Sequence, residues 1–194
     1  MLQKTAEVFE KLIGYKYIFH LEDGRSIKFV LESKHFYHLI GLHKLTDIYQ
    51  LDGKVYHYDS IFKKILKGEI TLELLKKSQH FHLHQDRIMN FEQLAELLDF
   101  ETFESILVDF DGTKLPHSMK TKMEAEVCLY KNNNNLYKHL FIAKDKAKDE
   151  YYAETFFVRN DDYYIAKQIE LKIVRLEKIA LRKSKGQDFS KNLV

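Results

Sequence analysis

Between Ser33 and Asp47 the chain sets His35, His38 and His43 beside Tyr37 and Lys44, in a stretch whose other residues are mostly apolar. Histidine exchanges protons near neutral pH, and lysine is a compact cation suited to phosphate. A helix that only filled a core would carry fewer groups that need partners. Much later in the chain Thr155, Arg159, Lys167 and Gln168 add a hydroxyl, two cations and an amide. Such a set contains what metal-independent RNA cleavage needs. A base takes the proton of the 2′-hydroxyl, an acid protonates the leaving oxygen, and cations offset charge growing on the phosphate. A satisfied core histidine and an ordinary charged surface would show the same residue types, so composition alone permits the chemistry without demonstrating it.

Other clusters carry less. In His80-Phe81-His82-Leu83-His84 all three imidazoles would share a face on a strand, but only His80 and His84 on a helix. No carboxylate motif completes a zinc set there, and a solvated helix start is the better reading. Asp109 and Asp111 could hold a divalent cation, yet Asp111-Gly112 after a strand is common turn chemistry. Cys128 stands alone, which removes an internal disulfide framework and reads as a small core or strand residue.

The elements that must position these groups follow from periodicity. Phe36, Leu39 and Ile40 mark one face of a helix with Ser33 as its N-cap. The next turn brings up His43, while Leu42, Leu45 and Ile48 run out of phase. Either Gly41 ends the helix as a C′ residue, or His43 points into an apolar face; the stop at Gly41 is favoured. Before it come an amphipathic helix over residues 2–13 and a hairpin of Tyr15–Leu21 and Ser26–Leu31 turned at Asp23-Gly24. After it come a short helix closed by Gly68, another begun by Thr71, and a longer one over residues 83–98. The second half changes period. Strands are expected over 103–110, 125–130, 136–143 and 151–159, with the asparagines at 132–135 as a hairpin loop. A last strand or helix lies within 169–179. The fold class is therefore α+β, a helical amino-terminal half packed on an antiparallel β-meander, with the other sheet face open for a ligand.

The chain has 194 residues with 31 basic and 29 acidic side chains, a net charge of +2, and 45% hydrophobic residues. Near-neutral charge argues against a globally basic nucleic-acid binder, so a phosphate-binding surface has to be local. One domain over 1–181 is expected, followed by a basic tail over 182–194 that frays. Met1 to Gly14 is charged and unlike a signal peptide, and no apolar run is long enough to span a bilayer. A cytoplasmic location without membrane contact is the default.

The run Phe36-Tyr37-His38-Leu39-Ile40-Gly41-Leu42-His43-Lys44-Leu45, with Glu154-Thr155-Phe156-Phe157 and Tyr163-Tyr164-Ile165-Ala166-Lys167-Gln168 later, resembles the phage-borne branch of the barnase/EndoU/colicin/RelE-like nucleases. The resemblance covers roughly residues 1–179. It implies a helical front half on an antiparallel sheet and metal-independent RNA cleavage with no cofactor. By it, His38, His43, Lys44 and Thr155 match catalytic positions, and Gln168 a further one. Arg159 and Lys167 join as phosphate- or substrate-binding groups on charge and location. RNA is the expected partner, with a protein inhibitor or antitoxin as a possible second. The alternative from another class is a non-catalytic RNA- or protein-binding module of a phage or mobile element. Convergence of His43, Lys44 and Thr155 in space distinguishes the shared catalytic centre from a core histidine.

Overall fold

The computed structural model describes residues 1–117, 119, 121–147 and 149–181, so the basic segment 182–194 lies outside the described residues. Helix α1 (Leu2–Glu10) buries Leu2, Thr5, Ala6 and Phe9, one face at helical spacing. Strands β1 (Tyr15–Leu21) and β2 (Ser26–Val30) follow as the expected hairpin, with Tyr17 opposite Phe29 and His20 opposite Ser26. Helix α2 (Ser33–Leu39) comes next and buries Phe36, Tyr37 and Leu39.

The cap of α2 is one residue earlier than expected. Glu32, not Ser33, is the N-cap, and it forms a capping box with His35, whose Nδ1 accepts from the Glu32 amide at 3.1 Å. The Ser33 hydroxyl instead donates to Asp59, tying α2 to helix α3 (Tyr58–Leu66). At the other end Gly41 stops the helix. Its φ of +90° is the left-handed region that a glycine adopts at low cost, and a 3₁₀ turn over Leu42–Lys44 begins there.

Helix α4 (Leu72–Leu75) starts at Thr71, whose hydroxyl accepts from the Leu74 amide. The long helix expected over 83–98 is broken. It consists of α5 (Phe81–Met89), a 3₁₀ turn over Phe91–Gln93, and α6 (Leu94–Leu97). Asn90 makes the break, with both its amide and its side-chain Nδ2 donating to the Asp86 carbonyl. The turn swings Phe91 into a ring cluster, 5.3 Å from Phe36, 5.8 Å from Phe9 and 5.5 Å from Phe156. Burial of that ring outweighs a few more helical hydrogen bonds.

The remaining strands are β3 (Ile106–Asp109), β4 (Ala125–Asn133), β5 (Leu136–Asp145), β6 (Glu150–Arg159), β7 (Ile169–Leu171) and β8 (Ile173–Ala180). The first of them starts three residues later than Phe103, whose ring packs against Phe19 and Phe100 instead. Asn134 and Asn135 turn the β4–β5 hairpin with φ of 52° and 64°. All ladders are antiparallel. One sheet has the order β6-β5-β4-β3-β7 and the other β2-β1-β8. Only Lys172 separates β7 from β8, so one run of chain leaves the larger sheet and joins the smaller. The Glu22 amide donates to the Lys172 carbonyl at that crossing.

The helices cover one face of the larger sheet in a core that includes Phe9, Phe36, Leu39, Phe91, Leu140 and Phe156. The opposite face is not open. A second core of Val108, Phe110, Leu115, Ala125, Cys128 and Phe141 lies there, with Met119, Met123, Phe157, Tyr164 and Ile165 packed on it. The segments after β3 and after β6 supply this cover because their apolar residues would otherwise face water.

Candidate functional site

Gly41 decides where the histidines go. Because the chain reverses there, His43 returns beside the last turn of α2, and its ring centroid lies 5.0 Å from that of His38. Tyr58 from α3 stands edge-on to His38 at 5.0 Å and stacks on Tyr37 at 4.5 Å. Tyr37 is held in turn by its hydroxyl, which donates to the Leu51 carbonyl at 2.7 Å. His38 is exposed, His43 half-buried, and Lys44 exposed on the same 3₁₀ turn. Nδ1 of His43 is buried without a hydrogen-bond partner among the described residues.

A residue that the local pattern did not disclose completes the cluster. Arg87 reaches from α5 to the end of α2, where Nε donates to the Leu39 carbonyl and a terminal nitrogen to the His38 carbonyl, both at 2.8 Å. The Leu39 oxygen is one of the carbonyls a helix end leaves without main-chain partners, and the His38 oxygen also accepts from the Gly41 amide at 3.1 Å. A side chain on Gly41 would meet Arg87 Cδ at 3.2 Å, so the glycine also makes room for the clamp. An arginine on the inner side of α5 was the available sequence signal, but its partner is remote in sequence.

Burial and neighbouring charge act in one direction on the pair. Desolvation pushes His43 down to about 4, and the charges of His38, Lys44 and Arg87 add to it against an opposing main-chain contact with Tyr37. His38 also lies below the ordinary histidine value, from desolvation first and then Arg87. Burial lowers Arg87 itself to about 10, so it stays a cation at neutral pH. The result is two imidazoles, tilted by 44° to one another and both biased toward the neutral form, beside permanent positive charge. Such a place suits an anion that brings its own negative charge and takes or gives a proton.

The later residues lie elsewhere. Thr155 pairs with Phe141, and residues directly opposite on neighbouring strands share a face. Phe141 belongs to the second core, whereas Phe156 belongs to the core that α2 packs against. Thr155 therefore leaves β6 on the opposite face from the one that meets α2, so the expected convergence of His43, Lys44 and Thr155 on one centre is not met, and His38, His43 and Lys44 are left without it. A bulge at Glu154, between the pairs Ala153–Ile142 and Thr155–Phe141, sets this phase. Arg159 grips Asp161 through several short contacts, including one of 2.6 Å, and lies over the Tyr164 ring. Gln168 exchanges hydrogen bonds with the main chain of Asp111 at 2.9 and 3.2 Å. Lys167, just before it, is exposed.

That second face holds a histidine that the residue pattern did not single out. His139 on β5 is fully buried, ringed by Tyr137, Phe141, Phe157 and Tyr164, with no hydrogen-bond partner on either ring nitrogen among the described residues. Burial holds it at about 4.

The other clusters have local explanations. Asp111 accepts from the amide and hydroxyl of Thr113, and Asp109 faces Arg25 at 3.5 Å. Cys128 is fully buried in β4, which raises its thiol far above the range of a nucleophile. Among the described residues no group of three or more histidine, cysteine or acidic side chains converges as a metal site. No helix among them is long and apolar enough to cross a membrane. Two cavities, of about 410 Å³ beside β7 and β8 and about 640 Å³ beside Glu96 and Lys138, lie away from the histidine pair. The pair faces solvent, which is the side a polymer can reach.

Comparison with known proteins adds one finding. A family model described as phage-Barnase-EndoU-ColicinE5/D-RelE like nuclease4 matches residues 1–193. No curated protein and no solved structure matches the chain. The match spans the helices, both sheets and the histidine pair, and the chain accordingly belongs to PBECR4, a phage-associated family of barnase/EndoU/colicin/RelE-like nucleases.

Proposed function

We propose that the protein is an endoribonuclease that cleaves RNA without a metal, by attack of the 2′-hydroxyl on the adjacent phosphate. The observation that carries this reading is the adjacency of His38 and His43, 5.0 Å apart between ring centroids, next to Lys44 and with burial favouring their neutral forms. A neutral imidazole accepts the 2′-hydroxyl proton; the partner imidazole, which takes a proton from solvent when the phosphodiester anion binds beside it, gives that proton to the 5′-oxygen. His43, the more shielded of the two, suits the base, and exposed His38 suits the acid. Lys44 offsets charge on the phosphate oxygens. The new bond joins the 2′-oxygen to phosphorus, the bond to the 5′-oxygen breaks, and a 2′,3′-cyclic phosphate remains. Thr155, Arg159, Lys167 and Gln168 take no proton-transfer role in this scheme, because they belong to the other face of β6 and to the turn after it.

The test is digestion of a mixed-sequence RNA by purified protein in EDTA, with the ends of the products determined by mass. Cyclic phosphate ends agree with the scheme. Cleavage that requires added Mg²⁺ or leaves 3′-hydroxyl ends contradicts it. Salt-dependent RNA binding without products would instead describe a module that binds and does not cut.

A further inference from the structure

The histidines at the start of α5 have no part in the scheme above, yet they lie next to it. His80 caps α5, and His84 and Arg87 follow four and seven positions later, so the three side chains form one stripe along the helix. Arg87 is the end of the stripe fastened to the His38 and Leu39 carbonyls. Lys44 follows His43 on the 3₁₀ turn after Gly41, and the Arg87 bonds to the end of α2 hold the stripe beside that turn. His80 and His84 are half-buried and His82 is exposed, as expected for one helix face rather than a loose cluster.

We propose that Lys44, His84 and His80 form a subsite for the phosphodiester backbone of single-stranded RNA, continuing from the phosphate bound at His38 and His43. The subsite rests on the RNA-cleavage reading in that the same strand occupies both. From His80 to Arg87 the helix rises on the order of 10 Å, a length that adjacent phosphates of a flexible strand can follow. Imidazoles are suited to this because a neighbouring polyanion favours their charged form. The charged or titratable groups around His84 are Lys44 from the 3₁₀ turn and His80, His82 and Arg87 of the same helix, and the Gln79 side chain lies 3.4 Å from His80 Nε2. Asp47 also faces His80, but its carboxylate is engaged by the Ser78 hydroxyl at 2.5 Å and the Gln79 amide at 2.8 Å. Seen this way the second histidine cluster is an extension of the first, not a helix start that happens to be wet.

The experiment is fluorescence anisotropy of the full chain with a labelled single-stranded RNA that is 2′-O-methylated throughout, so that no 2′-hydroxyl can attack. Affinity of the wild type should tighten by about tenfold from pH 8 to pH 5.5. In the His80→Gln, His84→Gln double variant most of that gain should vanish. Its salt dependence at pH 5.5 should flatten by about 1.4 in log–log slope, the loss of two backbone charges. On cleavable RNA the same variant should show a higher KM. Wild-type affinity that does not change with pH, or a variant that keeps the full pH dependence, overturns the subsite. Loss of cleavage with pH-dependent binding intact counts against the reaction scheme alone. Cleavage with binding indifferent to His80 and His84 counts against the subsite alone.

Discussion

The Arg87 guanidinium donates at 2.8 Å to the main-chain oxygen of His38, the residue whose ring faces His43 across 5.0 Å. One side chain from α5 thereby fixes the end of the helix that presents half of the candidate proton-transfer pair. Arg87→Ala removes two charge-assisted hydrogen bonds and leaves two carbonyls at a helix end without that donor. A loss of about 3 kcal/mol in urea unfolding is expected. Arg87→Lys restores charge but not the fork that meets both carbonyls, so it should recover only part of this. Full stability in Arg87→Ala would show that the clamp contributes nothing.

Gly41→Ala tests the same junction from the other side. Its φ of +90° strains any residue with a Cβ, and that Cβ would stand 3.2 Å from Arg87 Cδ. Destabilisation of about 1–2 kcal/mol by urea is expected, together with weaker RNA cleavage, because both the turn and the clamp shift. Gly14→Ala, where φ is +86° but nothing lies within 4 Å of the new carbon, separates backbone strain from crowding.

Much of this arrangement was legible in the residues. The α2 face, the stop at Gly41, the β1–β2 hairpin and the asparagine turn all rest on local rules, in which a residue's own conformational preference decides. The unread parts depend on distant partners. The break at Asn90 follows from the pull of the aromatic core on Phe91, which no window along 83–98 contains. Arg87 meets His38 across 49 positions, so its role has no local signature. The face taken by Thr155 depends on the bulge at Glu154, and one extra residue in a strand reverses every side chain beyond it. The expected open sheet face failed similarly: only the folded chain brings Tyr164 and Ile165 over Phe141.

His139 predicts a pH dependence of stability. Burial holds the folded residue at about 4, whereas an unfolded histidine titrates near 6.5. The unfolded chain therefore binds a proton that the folded chain refuses, and stability falls as pH drops from about 6.5 to about 4, then levels off. Between pH 7.5 and pH 5 this one residue should cost about 2 kcal/mol. His139→Leu should lose that component in urea titrations at the two pH values. An unchanged difference would mean that His139 is protonated, or solvated, in the folded protein.

The pair itself predicts the acid limb of catalysis. With His38 and His43 both held below the ordinary histidine value, the base stays unprotonated at lower pH than usual. A profile of kcat/KM in EDTA should have an acid limb with its midpoint below pH 6.5, towards about 4 if His43 is the base, and a basic limb as the acid His38 loses its proton. An acid limb centred at pH 7 or above would contradict a desolvated imidazole base.

The most direct measurement is cleavage of a single RNA in EDTA by the wild type and by the His38→Gln, His43→Gln double variant, with folding of both followed by circular dichroism. The wild type should yield 2′,3′-cyclic phosphate ends, and the folded double variant should lose at least about a hundredfold in rate, the lower worth of general acid–base catalysis. Undiminished cleavage by the double variant, or none by the wild type, would contradict the assignment of the reaction to His38 and His43.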